Sequence, residues 1–226
     1  MKFSSPNRWL HVAMLACVMV EVAELEIFTS GAAHHIWDAL VVGLFTTVSA
    51  RIAAKPRYAF LVLFLGGAAW TIDLFGLRWP PADLESLFWF LFHTVPALML
   101  LRRIFTVERI TLVEVVDAVC LYLLVGLAFA CLYGAVQWHH PGALTHASVA
   151  AGERLPYSLV VYYSFTSQLT MGYGDILPAH KLTRTISIAQ GLFGVMYVAI
   201  LISWFVSLHS AAYFSRRGAD HRPLRG

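Results

Sequence analysis

Six long apolar runs, broken only by short stretches carrying proline and charge, constrain this chain more than any other feature. They are Leu10 to Phe28, Ile36 to Ala54, Tyr58 to Leu77, Leu84 to Leu101, Leu112 to Trp138 and Leu182 to Phe214. A helix needs about 20 apolar residues to cross the hydrocarbon core of a bilayer, and each run is of that order. Pro56 lies between the second and third runs, Pro80 and Pro81 between the third and fourth. Arg102, Arg103, Glu108 and Arg109 lie between the fourth and fifth. No segment alternates with period two, so no segment reads as a strand. Backbone in lipid must satisfy its own hydrogen bonds, which leaves helices. The predicted fold class is therefore an all-α integral membrane protein with six transmembrane helices. Composition excludes a water-soluble domain: 13% of residues are charged, about half the usual share.

The basic residues set the orientation. With the N-terminus in the cytoplasm, twelve of the 16 Lys and Arg fall on the inner side, Arg51, Lys55, Arg102, Arg103 and Arg109 among them. Arg78, Arg154, Lys181 and Arg184 fall outside. Both termini are thus expected in the cytoplasm, in a plasma membrane of bacterial type. Lys2 and Arg8 ahead of an apolar core would suit a signal peptide, but Glu21, Glu24 and Glu26 follow directly, so a retained span is expected. The net charge of +3 gives no footing for nucleic acid. Cys17, Cys120 and Cys131 sit inside apolar runs without metal-ligand spacing and read as buried apolar side chains.

About forty residues separate the fifth and sixth runs. Gln137 to Gly152 is polar and suits an exposed loop. Pro156 to Leu169 (PYSLVVYYSFTSQL) is too short to span a bilayer but suits a re-entrant helix, with Pro156 near its first turn. Thr170-Met171-Gly172-Tyr173-Gly174-Asp175 follows at once. A dehydrated cation needs many oxygen ligands, and a row of backbone carbonyls supplies them densely. Carbonyls point to one side only where right- and left-handed dihedrals alternate. The left-handed state costs an ordinary residue about 1–2 kcal/mol and glycine almost nothing. Gly172 and Gly174 permit that alternation, Tyr173 between them can point outward as a brace, and the Thr170 hydroxyl adds an oxygen.

TMGYGD, preceded by an aromatic pair and an apolar helix, resembles the selectivity filter of the potassium channel superfamily. The resemblance runs from about Leu112 to Phe214. It implies that Thr170, Met171, Gly172 and Tyr173 coordinate K+ as the permeant ion, that Gly174 completes the turn, and that Asp175 stands at the outer mouth. It also implies filter support from Tyr162 and Tyr163, which stand where many relatives have two tryptophans. Tyr162 is placed to donate a hydrogen bond to Asp175. Thr166 stands where some members carry a buried glutamate, and Met171 and Leu169 depart from the commoner residues. One loop per chain implies a homotetramer, since rings of carbonyls need four. Apart from K+, no cofactor is implied; the expected partners are membrane lipid and identical subunits. No nucleophile and base stand at a spacing that suggests an enzyme.

Residues 1–109 then form a four-helix domain with a degenerate voltage-sensor layout, 110–217 the pore domain and 218–226 a short basic tail. The fourth run carries no Lys or Arg, so strong voltage sensing is not expected. His93 is its only candidate for a gating charge, and a mostly neutral histidine serves poorly; Arg102 and Arg103 at its end are expected to anchor to headgroups. The sixth run exceeds a bilayer's thickness, which implies tilt or a cytoplasmic extension. Gly194 stands at the position of a gating hinge in relatives, with Gly191 a second candidate; both also read as small-residue helix contacts.

Glu21, Glu24, Asp38 and Asp73 share a depth near the outer surface with Arg78 nearby. They read either as a modulatory cation or proton site or as interfacial carboxylates in water or paired with Arg78. Among 10 histidines, His139, His140 and His146 lie in the outer loop, His34 and His35 in the first outer loop, and His180 just past the filter. His139 and His140 are the candidates for sensing external protons or binding zinc, against a solvated loop. Three functions remain open: a potassium-selective channel, a weakly selective monovalent cation channel, or a non-conducting membrane scaffold or sensor with a remnant filter.

Overall fold

The computed structural model describes residues 8–27, 39–43, 45–46, 56–75, 82–107 and 111–220, with some helical side chains left undescribed. The first apolar run is helix α1 (Arg8–Ile27). Of the second, residues 39–43 and 45–46 are helical and the rest lie outside the described residues. The third is α2 (Pro56–Leu74), opening on a proline whose missing N–H has no partner to lose at a helix start. The fourth is α3 (Ala82–Thr106), which runs on through Pro96. The fifth is α4 (Leu112–His139) and the sixth α6 (Lys181–Asp220). Between them lie a short strand β1 (Leu144–His146), the helix α5 (Tyr157–Gln168) and a second strand β2 (Ile176–Pro178).

Among the described residues, three helices are long and apolar enough to cross a membrane: Leu84–Thr106, Leu112–His139 and Lys181–Ser207. The apolar stretches of α1 and α2 are shorter, Trp9–Val22 and Phe60–Ile72. The chain is thus a largely helical membrane protein with several spans. One expectation is corrected. β1 and β2 form an antiparallel pair in the register Leu144 with Pro178, Thr145 with Leu177 and His146 with Ile176. Three residues per strand are too few to show an alternation in the sequence, and the pairing partners lie thirty or more residues apart.

Helix α4 is the axis of the packing, touching α1, α3, α5 and α6. Its start is fixed locally. Thr111 caps the helix by accepting from Val113 N–H at 3.3 Å, and Glu114 reaches back to the Thr111 N–H at 2.8 Å. This capping box satisfies donors that the first turn cannot. Lipid offers no hydrophobic drive to hold helices together, so close packing and interhelical hydrogen bonds carry the association. Met14, Val18, Phe92, Leu100, Leu124, Leu127 and Ala130 fill the interface among α1, α3 and α4. A second cluster of Tyr133, Leu144, Leu155, Val160, Tyr163 and Ile176 sits beneath the β-ladder.

Candidate functional site

Helix α5 enters after Pro156 and ends at Gln168, and its C-terminal turn leads straight into the loop. Leu169 N–H donates to Phe165 O at 2.9 Å, Thr170 N–H to Ser167 O at 3.1 Å and Met171 N–H to Thr166 O at 2.9 Å. The carbonyl end of a helix carries partial negative charge, here directed at the base of the loop. The expected alternation of backbone hand is present: Gly172 has φ 57° and Gly174 φ 78°. Thr170 extends it, with φ 55°, the only non-glycine residue with positive φ among those described. A β-branched residue there is strained by about 1–3 kcal/mol, which only surrounding structure can hold. Among the described residues, no hydrogen bond is made to the carbonyl oxygens of Thr170 to Gly174. All six residues from Thr170 to Asp175 are exposed in the single chain.

The aromatic residues before the loop take different parts. The Tyr162 ring lies parallel to that of Tyr173, 10° between planes and 6.5 Å between centroids. The Tyr162 hydroxyl beside Asp175 holds that carboxyl below its usual range, assisted by the Ile176 N–H, which donates to Asp175 Oδ1 at 3.0 Å. Tyr163 instead turns toward α6, its hydroxyl 2.6 Å from Ser187 Oγ and its ring edge-on to Tyr133. Thr166 is buried and donates to Tyr163 O at 3.0 Å within its own helix.

Behind the loop, α4, α5 and α6 are joined by a buried polar network that the sequence reading missed. Gln168 Nε2 donates to Tyr122 O at 2.7 Å, and Tyr122 Oη returns a bond to Gln168 O at 3.0 Å. Gln190 Nε2 donates to Ser164 Oγ at 2.7 Å and to Gln168 Oε1 at 3.2 Å. Ser164 Oγ donates to Gly126 O at 2.7 Å, and Tyr133 Oη to Gln190 Oε1 at 2.8 Å. Gln168, Ser164 and Gln190 are fully buried, so each bond removes a polar group that lipid would leave unpaired. The signal was available: Thr183, Ser187, Gln190 and Gly194 repeat every three or four residues, one stripe along α6.

Gly194 completes that stripe. A Cβ added there would meet the Gln168 carbonyl, with its carbon at 3.1 Å and Cα at 3.5 Å, whereas one at Gly191 would find only Ser167 O at 3.9 Å. The helix is continuous through both residues. Close approach of α6 to the end of α5 therefore accounts for glycine at 194.

The remaining candidates scatter. Glu21 Oε1 lies 2.7 Å from His93 Nε2, while His93 Nδ1 donates to Trp89 O at 2.7 Å. His93 is thus a buried partner joining α1 to α3. Asp38 and Arg78, His34 and His35, and the side chains of Glu24 and Asp73 lie outside the described residues. His139 ends α4, exposed, and His140 stacks on His180. Arg103 is not a headgroup anchor. Its Nη2 donates to Glu114 Oε1 at 3.1 Å and its Nη1 pairs with the buried Asp117, which also meets His11 Nδ1 at 2.5 Å. Arg103 follows a helix end in sequence, and its partners belong to α4, whose approach the sequence does not show.

A helical membrane protein in which a re-entrant helix feeds an exposed G-x-G loop with unbonded carbonyls has the build of a channel subunit. Residues 118–210 match the family described as "Ion channel", under half of the chain but covering most of α4, all of α5, the loop and most of α6. Through that segment the chain is similar to ion channels. No curated protein and no solved structure matches it.

Proposed function

We propose that the chain is one subunit of a homotetrameric, potassium-selective channel carrying passive K+ flux across a plasma membrane, without strong voltage gating. The observation that carries this reading is the alternating backbone: positive φ at Thr170, Gly172 and Gly174 with unbonded carbonyls between them. Oxygens aligned in this way replace the hydration shell of an ion. One chain supplies one file of carbonyls, and four chains around an axis close the rings. The exposed apolar residues of α6, including Ile188, Leu192, Val195 and Ile202, suit burial against lipid and neighbouring subunits.

Weak voltage dependence follows from charge. Moving one charge through 100 mV is worth about 2.3 kcal/mol, and α3 carries no Lys or Arg before Arg102. Arg103 is held by Glu114 and Asp117. The distribution of Lys and Arg supports both termini in the cytoplasm.

Reconstituted vesicles test the proposal. Potassium flux is expected with a reversal potential that follows the K+ gradient in mixed K+ and Na+. Equal permeabilities would replace this reading with a weakly selective channel. Gly172→Ala, forced into φ 57° at a cost of about 1–2 kcal/mol, is expected to abolish flux while the protein still assembles. An activity that persists in Gly172→Ala would mark a scaffold with a remnant filter.

A further inference from the structure

At the outer end of the pore domain, two histidines from opposite sides of the loop meet face to face. His140, the cap residue after α4, and His180, just before α6, stack with centroids 4.2 Å apart and planes 16° apart. The junction between them is bonded throughout. Ala143 O accepts from Ala179 N–H at 2.9 Å, His180 N–H at 3.2 Å and Thr183 Oγ at 2.9 Å. Ala143 N–H in turn donates to His140 O at 2.9 Å.

The tautomer of His180 is set by its partner. The backbone N–H of Leu182 donates to His180 Nδ1 at 3.2 Å. A backbone N–H can only donate, so Nδ1 carries a lone pair and a neutral ring holds its proton on Nε2. His180 thereby acts as a cap for the first turn of α6. A proton arriving at Nδ1 would set donor against donor, place a cation at the positive end of a helix, and, once His140 is also charged, put like charges in one stack.

We infer that His140 and His180 form an extracellular proton-binding site whose protonation uncaps α6 and opens the junction beside the pore mouth. The inference rests on the channel reading only for its current readout. The surroundings favour the neutral ring: burial, His140 and Lys181 all push the His180 titration below the ordinary imidazole value. Lys181 and Arg184 face it from α6, His139 adjoins its partner on α4, and His146 and Asp175 flank β2. Arg184 Nε is engaged with Pro178 O at 2.9 Å. The sign follows from linkage: a group held below its unfolded pKa contributes stability above that value, and the contribution is lost as pH falls through the folded pKa. Only the five residues from Ile176 to His180 separate Asp175 from α6, so loosening here is transmitted to the filter exit.

Two conservative variants remove the proton but keep the geometry. His180→Asn retains an oxygen that can cap Leu182 N–H, and His140→Phe retains the stacking face. Wild-type flux is expected to fall on acidifying the outer side, and each variant to conduct at neutral pH with that fall lost. His139→Gln and His146→Gln are expected to keep it. A second measurement is independent of conduction: imidazole titration by NMR on the purified full chain. His180 is expected to titrate below the free imidazole range and to shift upward in His140→Phe. A response that survives in His180→Asn, or a His180 titration unmoved by His140→Phe, would overturn the inference. Absence of flux in every protein, with the NMR coupling present, would sink the channel reading and leave the proton site standing.

Discussion

Alanine at Gly194 separates two reasons for a glycine in α6. A hinge glycine weakens the helix by about 1 kcal/mol relative to alanine, so replacement should stabilise the protein and hinder opening. A contact glycine behaves oppositely. The added Cβ at 194 falls against backbone, the Gln168 carbonyl carbon at 3.1 Å and Cα at 3.5 Å, and backbone cannot rotate aside. At Gly126, by contrast, the neighbour is the Phe165 ring, which can turn. Overpacking of this kind costs about 1–3 kcal/mol and moves α6 off α5. At Gly191 the nearest atom is 3.9 Å away, so Gly191→Ala should gain most of the helix-propensity term. The propensity gain is common to both variants and cancels, so they should differ by the overpacking term, about 1–3 kcal/mol, with Gly194→Ala the less stable and also impaired in flux because Gln168 lies two residues before Thr170. Heat-induced dissociation of the purified oligomer gives the ordering. A Gly194→Ala protein as stable as Gly191→Ala, with slowed opening, would refute the contact and restore the hinge.

Gln190→Leu strips partners from Tyr133, Ser164 and Gln168; with about 1–3 kcal/mol per unsatisfied group, the oligomer should dissociate at a clearly lower temperature. Arg103→Ala leaves Glu114 and Asp117 uncompensated and should destabilise by about 3–5 kcal/mol, whereas the exposed Arg102→Ala should be near neutral; a shift in voltage dependence without loss of stability would contradict the pinned ion pair. Tyr162→Phe removes the main cause of the lowered Asp175 titration, so the Asp175 carboxyl should titrate at higher pH in that variant, read by NMR on the purified chain; an unmoved titration would contradict the contact.

Much of this protein was legible in its sequence because the relevant physics is local. Run length in lipid dictates helices, and Gly172 and Gly174 announce the left-handed positions whatever surrounds them. Thr111 and Glu114 also spelled a helix start at short range, though the pattern went unread. Contacts between distant residues were not legible. Thr170 holds a positive φ that its residue type does not announce. Arg103 looks like a membrane anchor until α4 brings Glu114 and Asp117 to it. His140 and His180 are forty residues apart and become neighbours only through the ladder that joins β1 to β2. By itself the sequence determined the helices and the carbonyl loop, since each depends on neighbours along the chain. Tertiary structure decided what braces the loop and where its charges and protons are held, since those depend on helices that meet only when packed.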